Sequence, residues 1–476
     1  MSKNIYTVGD EDVQLILKSK AKKGGRATKE RSHRFPVHVV YGGADRFTAE
    51  TPRKLGDIAL KTLATYAPNF VEFAAAMRIP GTESLPTFPE AAAKLAKQVA
   101  AKPHKAAAEN FPAWLAWTVH QKTIAKLKSE PVEDFRIDFE DGYGFRPDEE
   151  EDRDAGRAAV ELARSIANGM ASPFCGFRPK SFAPETYSRA IRTLELFLDR
   201  FISDIGDAIP ADFAVTLPKI TDRKQVKDLC DRLSKIEKKA GLAKGFFGVE
   251  IMIETPEAII DKKGNFAPRD IAEAGKGRVI SAHFGAYDYT SALGISAEHQ
   301  LLRHESCNFA RQIMLTTLAP LGIRLSDSVT TNLPVPVHRG KTSTAHENEN
   351  RRSVHAGWAE HFSNVTNSMA NGFYQSWDLH PNQLVARYAA VYAFFIGSRP
   401  QNEARLKGFI DKATKANLIG STFDDAASAQ GILNFFRRGI DCGAFDAEEV
   451  AGSVGLSVHE IRKSGFQQII AKRDAV

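Results

Sequence analysis

The sequence predicts a closed (β/α)8 barrel, the TIM-barrel class of α/β fold, with a helical insertion after strand 1 and a C-terminal helical extension. Three observations predict it. Short β-rich runs alternate with longer helical patterns, the sequence form of repeated βαβ units and a parallel sheet. Eight candidate strands can be counted, at 35–41, 134–139, 174–178, 212–217, 247–253, 278–284, 323–329 and 372–377. The 476 residues exceed an ordinary single domain, which leaves room for a barrel with elaborations. Counting alone leaves a doubly wound sheet open as the competing arrangement.

In chain order, residues 1–34 read as a basic N-terminal arm and 35–383 as the barrel, with an inserted helical segment at about 48–133. Within the insertion, 91–101 and 113–127 carry helical patterns. Residues 332–371 open with the Pro-rich stretch NLPVPVHRGK and continue polar as TSTAHENENRR, which predicts a long active-site loop. The extension, 384–476, is mainly helical. The chain past Pro381 predicts helices at 383–395, 402–415, 424–438 and 447–463. The last is two short helices around a glycine, superficially like a DNA-reading helix-turn-helix. It lacks a clustered basic recognition face, so helix packing is the better reading.

Composition sets the broad class. Apolar residues are 43% and charged residues 26% of the chain, as in globular proteins. No apolar run approaches the roughly 20 residues of a membrane span. The polar start Met1-Ser2-Lys3-Asn4 lacks the apolar core of a signal peptide, so a cytoplasmic protein is expected. Cys175, Cys230, Cys307 and Cys442 have neither CxxC nor metal-ligand spacing, which favours reduced thiols over disulfides or zinc. Much of the +6 net charge comes from one run, KSKAKKGGRATKERSHR at 18–34, without interleaved aromatics. It reads as a solvated arm before it reads as a nucleic-acid contact.

Barrel enzymes place catalytic groups where strands end and βα-loops begin. The second strand runs into Arg136-Ile137-Asp138-Phe139-Glu140-Asp141-Gly142, the third into Arg178-Pro179-Lys180, the fourth into Pro218-Lys219. The fifth is an apolar run closed by Glu254, and Asp288 stands just beyond the sixth. Two carboxylates from neighbouring strand ends suit a hard cation, Mg²⁺ before Mn²⁺, that keeps several waters. Glu254 and Asp288 are therefore the candidate metal ligands. Arg178 offers a forked, permanent cation for a substrate carboxylate or a developing enolate oxygen. For Glu140 and Asp141, capping and ion pairing with Arg136 or Lys219 compete with an active-site role.

DFEDGYG, MIETPEA, FGAYDYTSALG and WDLHPNQ, preceded by VVYGGADRF, together resemble the ordered motifs of the citrate lyase β-subunit, malyl-CoA lyase and HpcH/HpaI aldolase superfamily. The match runs from about His38 to Gln383. The resemblance implies Mg²⁺ on Glu254 and Asp288, an oxo acid or enolate on Arg178, and Glu140 and Asp141 holding metal-bound waters or neighbouring cations. It also implies a homo-oligomer built on the helical extension. The long insertion, the stretch 304–339 and the extended C-terminus depart from the shorter members, which bears on CoA use. Asp378 stands beside the HP pair where those members have a small residue, and it joins the candidate catalytic set. His380 is read as orienting the last loop.

The leading expectation is a Mg²⁺-dependent carbon-carbon lyase or aldolase acting on a small hydroxy or oxo acid or its CoA thioester. Alternatives are a metal-dependent thioester or ester hydrolase, and a non-enzymatic nucleic-acid-binding scaffold.

Overall fold

The computed structural model describes residues 34–418 and 426–473. The basic run at 18–34 lies outside them except for Arg34, which pairs with Glu130 and Glu133. Eight parallel strands close in sequence order: β1 (His38–Gly43), β2 (Asp134–Asp138), β3 (Phe174–Arg178), β4 (Ala214–Leu217), β5 (Gly248–Ile253), β6 (Val279–Phe284), β7 (Arg324–Val329) and β8 (Gln375–Asp378). The eight predicted runs are these eight strands, and closure through the parallel β1–β8 pair removes the doubly wound alternative.

Side chains alternate across each strand, and the sequence uses the alternation fully. On β2 and just past it, Phe135, Ile137 and Phe139 face the helices while Asp134, Arg136 and Asp138 face the barrel interior. The outer aromatics form a run: Phe177 stacks on Phe197 at 4.1 Å, Phe201 on Phe213 at 5.0 Å, and Phe213 meets Phe247 at 5.6 Å. Phe177 lies on β3, Phe213 and Phe247 flank strands, Phe197 and Phe201 lie on the helix Tyr187–Ile205, and all are buried. Each contributes about 1.5–3 kcal/mol of burial. That layer fixes the strands whose inward faces carry charge.

Two compact units divide the chain. Of the described residues, the first contains the strands: those up to Ala59, Leu127–Leu333 and Asn367–Leu384. The second gathers Leu60–Lys126, Pro334–Thr366 and the described residues from Val385 on. In the second, Phe395, Phe435, Phe436 and Phe445 cluster with centroid separations of 5.2–6.1 Å among the Phe435 and Phe445 pairs. Gly439 permits this, because a Cβ there would stand 2.3 Å from the Phe445 ring.

Two expectations are corrected and one is extended. Residues 332–371 are not one long loop, because Thr344–Ala370 is a 27-residue helix. Its buried stripe, Asn350, Val354, Trp358, Val365 and Met369, recurs at helical spacing, but a polar N-terminal half and an asparagine in the stripe conceal the period. Helices expected at 383–395 and 402–415 are one helix, Gln383–Leu418, which passes through Pro400. Proline removes one helical hydrogen bond. Here Asn402 donates its side-chain N–H to the Ser398 carbonyl, and Arg399 pairs with Glu403 at 2.6 Å across the same turn. The insertion also holds more helix than expected, adding Thr51–Tyr66, Phe70–Met77 and Pro103–Glu109. Downstream, Ala426–Asp441, Ala447–Val454, Val458–Lys463 and Phe466–Arg473 follow, and Asp424 lies outside the described residues. Gly455, at φ +69°, ends one short helix, and a Ser457–Glu460 capping box starts the next.

Candidate active site

The turn after β2 is organised by Asp138. Its two oxygens accept four bonds: from Arg178 Nε at 2.7 Å and Nη2 at 2.6 Å, and from the backbone N–H groups of Glu140 at 3.0 Å and Gly142 at 2.7 Å. A carboxylate has about four lone-pair sites, so Asp138 is saturated. It fixes the acidic turn and the arginine together. Gly142 is required there, since a Cβ would lie 2.6 Å from Asp138 Oδ2.

Arg178 is buried at the end of β3, opposite Asp138 in register. Its remaining edge, Nη1, stands 3.2 Å from Glu140 Oε2 and 3.8 Å from Asp141 Oδ2. Its guanidinium carbon lies 4.8 Å from the Tyr41 ring centre and 5.5 Å from that of Trp377. Against the cost of burial, Asp138 and Glu140 hold it charged. Lys180, the other cation of β3, is a structural strut: its ammonium donates to the Phe139 and Gly144 carbonyls at 2.8 and 3.0 Å and pairs with Glu151.

Lys219 follows β4 in the left-handed region, at φ +50°, a strained position for a side chain with a Cβ. That turn aims its backbone N–H at Glu254 Oε1, 2.6 Å away, while its ammonium pairs with Glu140 and Asp141. Burial, reinforced by Asp141, pushes the Glu140 carboxyl above the usual range despite Arg178 and Lys219. Asp141 is more exposed. Against its partial burial, bonding to Glu140 and the charges of Arg178 and Lys219 hold it below that range. Of the competing partners, Lys219 takes the two carboxylates; Arg136 instead pairs with Asp134 and Glu250.

Glu254 caps β5 and is 2% exposed, whereas Asp288 is exposed in the first turn of the helix Ala286–Ala292 after β6. Burial, then the Asp288 charge, pushes the Glu254 carboxyl up to about 8, with Arg178 and the Lys219 N–H opposing. Gly285 makes this approach possible: a Cβ there would meet Glu254 Cβ at 2.4 Å and Oε2 at 2.5 Å. A buried carboxylate raised by a second carboxylate is short of positive charge, and a divalent cation between them removes that deficit. Among the described residues, no group of three or more His, Cys, Asp or Glu side chains forms a closed cage. Two carboxylates suit Mg²⁺, which keeps much of its water shell. The donor set therefore fits a hard divalent cation.

The structure brings Glu140, Asp141, Arg178, Glu254 and Asp288 to one end of the barrel, but leaves Asp378 out of the cluster. On β8, Trp377 faces inward to pack on Tyr41 at 4.3 Å, so alternation turns its neighbour Asp378 outward. Asp378 is fully buried and bonds His38 Nδ1 at 2.7 Å, while His38 Nε2 accepts the Glu133 N–H at 2.9 Å. That fixes the neutral tautomer that donates to Asp378, and makes the pair a joint between β8 and β1. The expectation of Asp378 in the catalytic set is corrected accordingly. His380 accepts the Asn382 N–H at 3.1 Å, as expected of a loop-orienting residue.

A buried polar layer below the mouth was not anticipated. Glu250 accepts from Thr216 at 2.7 Å, Ser281 at 2.6 Å, Tyr41 at 3.0 Å and Arg136 at 3.1 and 3.2 Å. His283 Nε2 lies 2.8 Å from Glu250, and Tyr41 Oη lies 3.0 Å from His283 Nδ1. Against full burial, Arg136 and His283 hold Glu250 well below the usual carboxylate range. One signal was available: Glu250 and Glu254 share the inward parity of an otherwise apolar strand.

The chain belongs to the family described as Domain of unknown function (DUF6986), which matches residues 21–469. No curated protein matches it. Among solved structures it is similar to a citrate lyase from Burkholderia xenovorans LB400, at 18% identity and TM-score 0.46, over 70% of this chain and 92% of that one. A Haloferax volcanii malate synthase in a magnesium and glyoxylate complex gives 16% identity and TM-score 0.41, over 69% and 88%. The citrate lyase β-subunit from M. tuberculosis with oxaloacetate and magnesium gives 17% and 0.35, over 57% and 93%.

Proposed function

We propose that this protein is a Mg²⁺-dependent carbon-carbon lyase or aldolase acting on a small hydroxy or oxo acid or its CoA thioester. The observation that carries the reading is the carboxylate pair Glu254 and Asp288, set at adjacent strand ends with Arg178 and Lys219 close by. Glu254 and Asp288 would hold the cation. When bound, it supplies electrophilic stabilisation for negative charge developing on an oxo acid.

The chain's own groups do the rest. Asp138 holds the Arg178 fork in one orientation, so its Nη1 edge meets an anionic oxygen without reorganisation. Lys219 anchors Glu254 through its N–H and restrains Glu140 and Asp141 through its ammonium. Glu140, its carboxyl raised above the usual range by burial, is the group suited to hold or pass a proton. Tyr41 and Trp377 exclude water from one side of Arg178.

The test is a thermal-shift matrix of Mg²⁺, Mn²⁺ or chelator against pyruvate, oxaloacetate, glyoxylate, acetyl-CoA and malate. Metal-dependent stabilisation by an oxo acid is expected, followed by retro-aldol product analysis. Equal melting with metal and chelator in every well would overturn the reading.

A further inference from the structure

A groove of about 910 Å³ opens on the helical layer of the barrel, between the first turn of the helix Arg223–Lys239 and the segment that runs from Glu257 to Lys276. Its volume falls within the roughly 300–1,000 Å³ of small-molecule sites. Helices and their connections line it, and none of the candidate active-site residues does. Six basic and five acidic side chains stand in the lining, so its character depends on which of them are already paired.

The carboxylates are largely engaged within the wall. Asp222 caps its helix through the Lys224 N–H at 2.8 Å, Asp270 pairs with Arg223 at 3.5 Å, and Glu273 pairs with Arg269 at 2.8 Å. Asp261 accepts the backbone N–H groups of Lys263 and Asn265, both at 2.8 Å, and the Asn265 side-chain N–H at 3.2 Å. The bases are not engaged in proportion. Lys227 pairs with Asp231 at 2.5 Å, but Lys224, Lys262, Lys263 and Lys276 form no ion pair among the described residues. Lys263 and Lys276 act on Asp261 and Asp231 only at longer range. Against these four ammonium groups, Glu257 is the one carboxylate of the lining without a partner among the described residues.

Two of the lysines stand on a tip that is already ordered. Ile260 and Phe266 bridge antiparallel, the Asp261 carboxylate ties the turn between them, and Gly264 at φ +84° closes it. Such a tip gives up little freedom on meeting a ligand. Lys276 lies beyond the helix Ala267–Ala274, whose eight residues rise about 12 Å. The ammonium groups are thus spread along the groove, a spacing that linked phosphates match better than a single small anion. Glu257, Asp270 and Glu273 would repel a long polyanion laid across the rim, which favours a bounded one. Phe266, 59% exposed beside the lysine tip, offers an aromatic face.

We infer that this groove binds the polyphosphate chain of a nucleotide, with Lys224, Lys262, Lys263 and Lys276 as its cations and the Phe266 ring as the platform for the base. The groove does so independently of any metal at the barrel mouth.

Calorimetric titration of the full chain in EDTA, which removes any route through a metal at Glu254 and Asp288, tests this with ATP, inorganic tripolyphosphate and inorganic phosphate. ATP should bind most tightly, and phosphate at least about tenfold more weakly than tripolyphosphate. Raised salt should weaken all three. Lys262→Glu with Lys263→Glu should weaken ATP at least about tenfold at unchanged Tm. Lys224→Ala with Lys276→Ala, which leaves the tip untouched, should weaken it in the same direction. Phe266→Ser should bring ATP to the level of tripolyphosphate, and wild type binding the two equally would overturn the nucleotide assignment. Lys94→Glu with Lys97→Glu, the same charge change on the helix Pro89–Ala101, should alter nothing. No binding of tripolyphosphate, binding indifferent to charge reversal at the tip, or an equal loss in the Lys94 and Lys97 control would overturn the site. A thymidine oligonucleotide that binds more tightly than ATP and is lost with the same lysines would overturn it in favour of a nucleic-acid surface.

Discussion

Replacing Gly285 with alanine adds one methyl group at the tightest point of the site. Gly285 has φ −102°, which alanine adopts without strain, so any effect comes from contact alone. The new Cβ would lie 2.4 Å from Glu254 Cβ and 2.5 Å from Oε2, well inside contact distance. Glu254 must shift, and the first bond at risk is the 2.6 Å one from the Lys219 N–H. Overpacking costs about 1–3 kcal/mol, and with the Glu254 carboxyl raised to about 8 the bond is one to a neutral acid at pH 7, which contributes about 0.5–1.5 kcal/mol. The lower ends together give a loss of roughly 1.5 kcal/mol in the metal-free chain. Chemical denaturation with chelator present measures it, with Gly156→Ala as the matched control. Gly156 lies inside the helix Asp148–Ala167 with nothing within 4 Å of its would-be Cβ, so alanine there should stabilise by about 0.5–1 kcal/mol. The metal response of Gly285→Ala should fall as well. If Gly285→Ala unfolds within about 0.5 kcal/mol of wild type, the close approach of β6 to Glu254 is wrong.

Glu254→Gln or Asp288→Ala should abolish Mg²⁺-dependent thermal stabilisation, and a persisting shift would dismiss that residue as a ligand. Arg178→Lys should lose most activity while Mg²⁺ still stabilises the protein, because an ammonium cannot reproduce the fork held by Asp138; near-normal turnover would argue otherwise. Asp378→Ala should cost about 1–3 kcal/mol by stranding His38, yet leave the Mg²⁺ response unchanged, and a lost response would return Asp378 to the site. Burial lowers the His120 imidazole to about 4. The unfolded chain then takes up that proton first, so stability is full above about pH 6.5 and falls towards pH 4, by up to roughly 3 kcal/mol. His120→Gln should flatten the acid limb of Tm against pH, and an unaltered limb would refute the assignment.

The barrel was legible because both of its periodicities are written plainly: apolar outward positions on each strand, and charged residues where strands end. Glu254, Asp288, Arg178, Glu140 and Asp141 were found by that second rule, and the structure gathers them. Asp378 was added from its place beside the HP pair and falls outside the cluster, because a position in a motif does not specify facing. Trp377 had to claim the interior before Asp378 could be placed outside. The Glu250 network was hidden for the opposite reason, since a charge in mid-strand reads as an interruption until its hydrogen-bond partners on four other strands are known. Thr344–Ala370 was lost to its polar N-terminal half, and the break expected between 395 and 402 gave way to one helix, with side chains bridging the turn at Pro400.

Asp138 grips backbone N–H groups and one arginine, and touches no side chain of the turn it shapes. Positions 140 and 141 can therefore be exchanged without moving the peptide that carries them, provided position 142 stays glycine. Such a turn separates two kinds of inheritance. A lineage that keeps Asp138 and Gly142 keeps the pose of Arg178, while the chemical character of positions 140 and 141 is open to change. A shift in preferred acid within this family would then be sought at 140 and 141, against a fixed Asp138, Gly142 and Arg178.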